Sequence, residues 1–317
     1  MIEELSLDAW RMLDSAHPAP TFFARPAWAT ALAEATPSLR PAPLCESFSG
    51  TTYILPTVSA HRRRTPFREY VGFPLGGYTC VLDEYGEPAP PAESAAVIAA
   101  LAARVDRLRV YPWPFAPLAR IDVSGTLLET AVVDCSDGFE AVMARMRGVT
   151  RRMAEQARRR GVTTARAHAS ELHRYYALLE ETSARWPSGK PTISYELLEA
   201  VLRHGGDDAQ LWFAYAEGRP IAGGVVLFGA QELFFWSAAM DRDAAAFRPS
   251  NALNVALLRA ACDRGVRWYN LGASAGLAGL ERFKHDLGAA PVAYREVNAQ
   301  RRLLAWYERA RHFVPGG

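Results

Sequence analysis

The chain has 317 residues and a net charge of +2, with half of its residues apolar and 22% charged. Its length is about twice that of a typical domain, and its composition excludes wholesale disorder, collagen-like repeats and an extended coiled coil. No stretch approaches the ~18 uninterrupted apolar residues of a membrane span, and the acidic start Met1-Ile2-Glu3-Glu4-Leu5 is unlike a signal peptide, so the expected location is the cytoplasm. Of 36 basic residues only Lys190 and Lys284 are lysine, which makes each ammonium worth inspecting.

Pro and Gly punctuate the first third. Trp28 to Ala35 reads as a short helix and Thr51 to Pro56 as a strand; Phe73 to Tyr78 reads as a loop. Ser94 to Arg109 is expected to be helical, with Ser94 as its N-cap. Seven arginines then fall between Arg145 and Arg160, opposed by Glu155 alone. Met143, Met146, Val149, Met153 and Ala157 recur at helical spacing, so a surface helix with one apolar stripe is expected, stopped by Gly161. Glu171 to Ala184 and Tyr195 to His204 read as helices. Gln210 to Ala216, Ile221 to Phe228 and Glu232 to Met240 read as an antiparallel meander. Pro249-Ser250-Asn251 opens a helix that runs to Arg264 and ends at Gly265. Arg267 to Leu271 is a strand leading into a Gly272 to Gly279 loop, followed by a helix from Leu280 to Leu287. A strand from Val292 to Val297 and a helix from Ala299 to His312 complete the chain. This order is α+β, and no dinucleotide-binding or Walker glycine motif is present.

Several residues carry candidate chemistry. Arg248-Pro249-Ser250-Asn251 sets an arginine and backbone N–H groups at a helix start, which reads as an anion site or as plain capping by Ser250 or Asn251. Arg151 and Arg152, within the basic cluster, read as RNA-phosphate contacts or as a solvated face. Trp186 in its turn-rich loop could stack on a base, line a pocket or anchor the loop; Trp236 is core or cleft wall; Tyr78 is core or a substrate-pocket residue. Gly272-Ala273-Ser274-Ala275-Gly276 has the letters of a nucleophile elbow, but Gly276 and Gly279 disfavour the helix that must follow at once. The four cysteines lack a C-x-x-C spacing and the seven histidines are scattered, so buried inert thiols and no metal site are expected.

Three strings resemble one family. Val149 to Val162 is similar to a basic helix ending in Gly-Val. Asn254 to Gly272 is similar to a last helix and strand ending in Leu-Gly. Leu280-Glu281-Arg282-Phe283-Lys284 to Ala289 is similar to a Phe-Lys segment. The loop Pro74 to Tyr78 is similar, more weakly, to a substrate-side loop. Together they resemble the Fem-like (FemABX) tandem-GNAT aminoacyltransferases, over roughly residues 145–297 and faintly over residues 20–145. Asn270 stands where many members carry Asp, and the coiled-coil arm of some members is missing.

The resemblance implies two GNAT-like domains facing a common cleft, each a mixed, mostly antiparallel sheet flanked by helices. They are expected at 1–144 and 145–317, the second with an arginine-rich entry helix. It implies an acyltransferase forming an amide on an amine acceptor (a peptide, a cell-wall precursor or a specialised metabolite), with aminoacyl-tRNA as donor and no tightly bound cofactor. The alternatives are an acyl-CoA-dependent N-acyltransferase and a non-catalytic RNA-binding protein on a degenerate GNAT fold. Lys284, beside the Gly-rich loop, is the expected oxyanion-stabilising ammonium, with Phe283 next to it in the substrate site.

Overall fold

The computed structural model describes residues 3–61, 67–73, 75, 77–116 and 125–306. Contacts divide the chain into two units, Met1–Leu128 with Ala293–Gly317, and Glu129–Val292. The boundary expected at 144/145 falls inside a helix of the second unit, because the strand before that helix joins the second unit's sheet.

In chain order the first unit contains β1 (Glu3–Glu4), α1 (Leu7–Ala16), α2 (Pro26–Ala35), β2 (Leu39–Pro41), β3 (Leu44–Phe48), β4 (Thr51–Leu55), β5 (Val58–His61), β6 (Arg68–Gly72), α3 (Pro91–Ala102) and β7 (Arg107–Val110). β8 (Leu127–Asp134) leads into the second unit, which holds α4 (Phe139–Arg145), α5 (Gly148–Arg159), β9 (Thr163–Ala167), α6 (Leu172–Ser183), α7 (Tyr195–Gly205), β10 (Ala209–Ala216), β11 (Arg219–Phe228), β12 (Glu232–Met240), α8 (Pro249–Asp263), β13 (Trp268–Asn270) and α9 (Ala278–Asp286). β14 (Ala290–Arg295) and β15 (Val297–Gln300) follow.

The first unit has a three-stranded sheet, β1-β3-β4, and a five-stranded sheet ordered β15-β7-β6-β5-β2. α3 links β6 to its parallel neighbour β7, and β15 closes the far edge antiparallel to β7. Tyr70, Val97, Ile98, Leu101 and Leu108 form its core. Here the expected helix from Ser94 to Arg109 is corrected. It begins at Pro91, where a proline costs no helical hydrogen bond, and it ends at Ala102. Ser94 lies inside it with its hydroxyl donating to the Ala89 carbonyl, and Arg107 to Arg109 belong to β7.

The second unit is one seven-stranded sheet ordered β14-β8-β13-β12-β11-β10-β9. β9 to β12 are antiparallel neighbours, β12 and β13 run parallel with α8 as their crossover, and β13 and β8 are antiparallel. The architecture is therefore α+β, with mixed, mostly antiparallel sheets flanked by helices. α8 packs its apolar face on the sheet through Leu253, Leu257, Leu258 and Ala261, beside Tyr269 and Val226. The expected single basic helix is instead two, α4 and α5. Met146 and Arg147 between them are extended, with Met146 buried in the core and Arg147 paired to Asp286. Gly161, at φ +78°, ends α5 as expected, and Val162 N–H reaches back to the Ala157 carbonyl. The expected last helix is preceded by β15, which includes Ala299; its residues beyond 306 lie outside the described residues, as do Pro74 and Gly76 of the first-unit loop. Among the described residues no helix is long and apolar enough to cross a membrane.

Candidate active site

The site begins where two strands part. β12 and β13 pair over only three positions, Glu232 with Trp268, Leu233 with Tyr269 and Phe234 with Asn270. Beyond Asn270 the chain stays with β8: Leu271 N–H donates to the Ala131 carbonyl at 2.8 Å. β12 continues without it to Met240, and the wedge that opens is a cavity of about 670 Å³. Phe235 to Met240 line one wall, Leu271 and Ala273 another, and the start of α8, the loop after α6 and α9 supply the rest.

Two local features shape the β12 wall. Val225 faces Ser237 and Val226 faces Phe235, so Trp236 is an extra residue, a bulge that twists the strand where it meets the cavity. Opposite it, Gly224 has no side chain for a reason. A Cβ there would stand 2.1 Å from the Phe235 ring and 2.6 Å from the Ser237 carbonyl oxygen. Ser237 shares a 2.6 Å hydrogen bond with the hydroxyl of Tyr175, a fully buried residue of α6 whose phenol burial pushes well above its ordinary range.

Lys284 sits on α9 at the cavity wall and is 4% exposed. Its Nζ donates to the carbonyls of Gly272 and Ala273, each at 2.8 Å. An ammonium has three N–H donors, so with these two committed one remains. Burial pushes the group down to about 8, against the pull of Glu281 in the other direction. Arg185 also lines the cavity, whereas among the described residues no carboxylate or histidine does. Among the described residues no group of three or more His, Cys, Asp or Glu could hold a metal ion.

The structure brings Lys284, Phe283, Trp186, Trp236 and Ser250 together on this one cavity. The other sequence candidates lie elsewhere. Tyr78 is buried in the first unit, edge-on to Phe23 and Tyr294. Arg248 is exposed in a left-handed conformation (φ +59°) as the N-cap of α8, and Asn251 is buried. No side chain caps this helix; Ser250 instead donates to Met240 Sδ at 3.2 Å, so the expected capping role is corrected.

Arg151 and Arg152 lie on α5. Arg151 donates to the Met143 and Ala144 carbonyls at 2.8 and 2.9 Å, satisfying the last turn of α4. Arg158 and Arg159 hold the Glu155 carboxyl at about 2. Arg145, Arg147 and Arg160 are bonded to Asp137, Asp286 and the Ala246 carbonyl. Of the seven, Arg152 has no partner among the described residues. The elbow-like Ser274 lies in a turn four residues before α9, so no helix follows it at once.

Sequence reasoning missed Ser237, Tyr175, Asn254 and the Asn270 cluster. Asn254 on α8 lines the cavity and accepts from the buried Tyr269 hydroxyl at 2.8 Å. A polar residue inside an apolar helix face was the available signal for it; Ser237 gives no such signal in a strand.

With this geometry in place, likeness to known proteins adds the family. A model described as an acetyltransferase (GNAT) domain matches residues 144–285, within the second unit. The structure of FemX is similar at 11% identity, over 97% of this chain and 99% of that one, with a TM-score of 0.73. The chain carries a GNAT acyltransferase domain on a Fem-like tandem fold. A conserved protein of unknown function from Bacteroides thetaiotaomicron is similar at 8% identity, over 95% of this chain and 99% of that one, with a TM-score of 0.57. So is the C-terminal domain of a protein assigned as a lysylphosphatidylglycerol synthetase from Agrobacterium fabrum, at 14% identity, over 96% and 95% of the two chains, with a TM-score of 0.56. These likenesses establish the fold. No curated protein matches the chain. A GNAT domain implies an acyl donor and an amine acceptor.

Proposed function

We propose that the chain transfers an aminoacyl group from aminoacyl-tRNA to an amine in the cavity of the second unit, forming an amide bond. The observation that carries this reading is Lys284, buried at the cavity wall with two N–H groups committed and a third able to meet a developing oxyanion. Such a donor, held in place beforehand and shielded from water, stabilises the transition state more than the ground state. The acceptor amine attacks the donor ester carbonyl, the oxyanion collects the Lys284 hydrogen bond, and the tRNA hydroxyl leaves. No covalent enzyme intermediate enters, since Ser274 lacks an elbow. With no carboxylate or histidine in the lining, the attacking amine gives its proton to substrate or water.

The start of α8 supports a donor other than coenzyme A. Pro249 at its first position has no N–H, and no glycine lets a pyrophosphate approach the turn. The C-terminal domain of a protein assigned as a lysylphosphatidylglycerol synthetase also has this fold. Arg152 is the α5 side chain best able to meet an RNA phosphate. A cytoplasmic setting goes with this donor.

One observation favours the acyl-CoA alternative. β12 beyond Phe234 has no β13 partner, so its edge could hydrogen-bond an extended amide chain in the cavity. Titration with aminoacyl-tRNA at two salt concentrations, with coenzyme A as competitor, separates the two. Salt-sensitive binding that coenzyme A leaves intact supports the tRNA reading. Absence of tRNA binding, with affinity for acyl-CoA, overturns it; RNA binding without turnover points to the non-catalytic alternative.

A further inference from the structure

The carbonyls that anchor Lys284 are themselves held by a buried polar cluster outside the cavity. Asn270, the last residue of β13, is 0% exposed. Its Oδ1 accepts from Gly272 N–H at 2.9 Å and from the Thr130 hydroxyl at 2.6 Å, and its Nδ2 donates to Glu232 Oε1 at 2.7 Å. Glu232 and Thr130 are each 1% exposed, on β12 and β8. Three strands therefore converge on one amide. That amide bonds the N–H of a glycine at φ +70°, a backbone conformation other residues rarely adopt. The same glycine and its successor present their carbonyls to Lys284 Nζ. None of the three cluster residues lines the cavity.

We infer that Asn270, with Glu232 and Thr130 behind it, is a positioning residue for Lys284, setting the Gly272–Ala273 turn that aims the ammonium into the cavity. This assignment rests on the proposed role of Lys284, but its first test does not depend on turnover. The amide matches its neighbours by donor type: two donors meet Oδ1, and one acceptor meets Nδ2. Asn270→Asp keeps the first pair and sets a carboxylate oxygen against Glu232; adding Glu232→Gln supplies a donor in its place. The exchange is thus damaging alone and repaired in combination.

Because the chain has only two lysines, biosynthetic 13C,15N-lysine gives one set of signals for exposed Lys190 and one for Lys284. Glu281 on its own helix pulls on Lys284, and the further charged side chains nearby are Arg185 in the cavity lining and Glu232 behind Asn270. All but Glu232 are untouched by the variants. In Asn270→Ala the turn is released, water reaches Nζ, and the Lys284 titration moves up toward the ordinary lysine range, with kcat down about tenfold or more and KM unchanged. Asn270→Asp behaves similarly, and Asn270→Asp with Glu232→Gln returns both readouts toward wild type. If Asn270→Ala does not fold, the Asn270→Asp and double variants carry the test. Wild-type titration and kcat in Asn270→Asp overturn the inference, as does failure of the double variant to recover either. A moved titration in a protein inactive with every donor keeps the positioning assignment and removes the transferase reading.

Discussion

Replacing Lys284 by methionine tests the proposed chemistry most directly, since the side chain keeps its length and loses its charge. In the folded chain burial pushes the ammonium from 10.5 down to about 8. Between those values the unfolded chain still holds a proton that the folded chain has released, so stability rises with pH across that window. The whole shift corresponds to roughly 3 kcal/mol, at a slope of about 1.4 kcal/mol per pH unit. Below pH 8 both states are protonated and the cost of burying the charge is present in full. Urea denaturation of wild type and Lys284→Met, from about pH 7 to about pH 10, isolates this contribution because all other titrations are common to both. The variant's stability relative to wild type should fall by about 2–3 kcal/mol over that range. Its turnover should be at least about tenfold lower at neutral pH, and wild-type turnover should decline above pH 8 as the third N–H becomes a lone pair. A stability difference that stays flat with pH would mean that Lys284 is solvated, and unchanged turnover would remove it from the reaction.

Three other substitutions probe the surroundings. Gly224→Ala pushes a methyl group into the Phe235 ring and the Ser237 carbonyl, and should cost about 1–3 kcal/mol by chemical denaturation, with weaker substrate binding as the β12 wall moves. Ser237→Ala strands the buried Tyr175 hydroxyl and should cost about 1–3 kcal/mol, whereas Tyr175→Phe leaves Ser237 free to bond a ligand or water at the cavity and should cost less than about 1 kcal/mol. Arg151→Ala removes two bonds to the end of α4 and should lower the thermal midpoint without changing the salt dependence of tRNA binding. Arg152→Ala should do the reverse, reducing the log–log salt slope by about one.

The second half of the fold was legible because its signals are local and redundant. The β10–β12 meander has apolar runs separated by short turns, and α8 is bracketed by a proline and a glycine at φ +70°. The first half was not, since β2 and β7 are short and set arginines among their few apolar residues. β8 hid for another reason: Leu127 to Asp134 alternates weakly, and only its pairing with β13 identifies it. Lys284 stands out by resemblance and by scarcity among arginines. Asn270 was noted only as a departure from Asp, because its three partners lie 2, 38 and 140 residues away. The partners of the Arg cluster were hidden for a matching reason. Spacing shows charge, but the carbonyls and carboxylates that absorb it belong to α4, α9 and the segment before α8.

The cavity and its ammonium trace back to one change of direction in the backbone. Had Leu271 and Gly272 continued beside β12, the sheet would be closed there and the Phe235 to Met240 edge would be occupied. Instead they follow β8, and the Asn270 amide bonds Gly272 N–H. That turn opens the wedge and, in the same two residues, directs two carbonyls toward α9. An amine on a lysine-length stem then meets both acceptors at 2.8 Å and is left with one donor for a ligand. Arginine, with five donors on a planar fork and no accessible neutral state, would keep its charge here at any pH the fold survives. In a chain whose basic residues are otherwise almost all arginine, a compact three-donor ammonium at this spot matches two carbonyls and leaves one donor for a ligand.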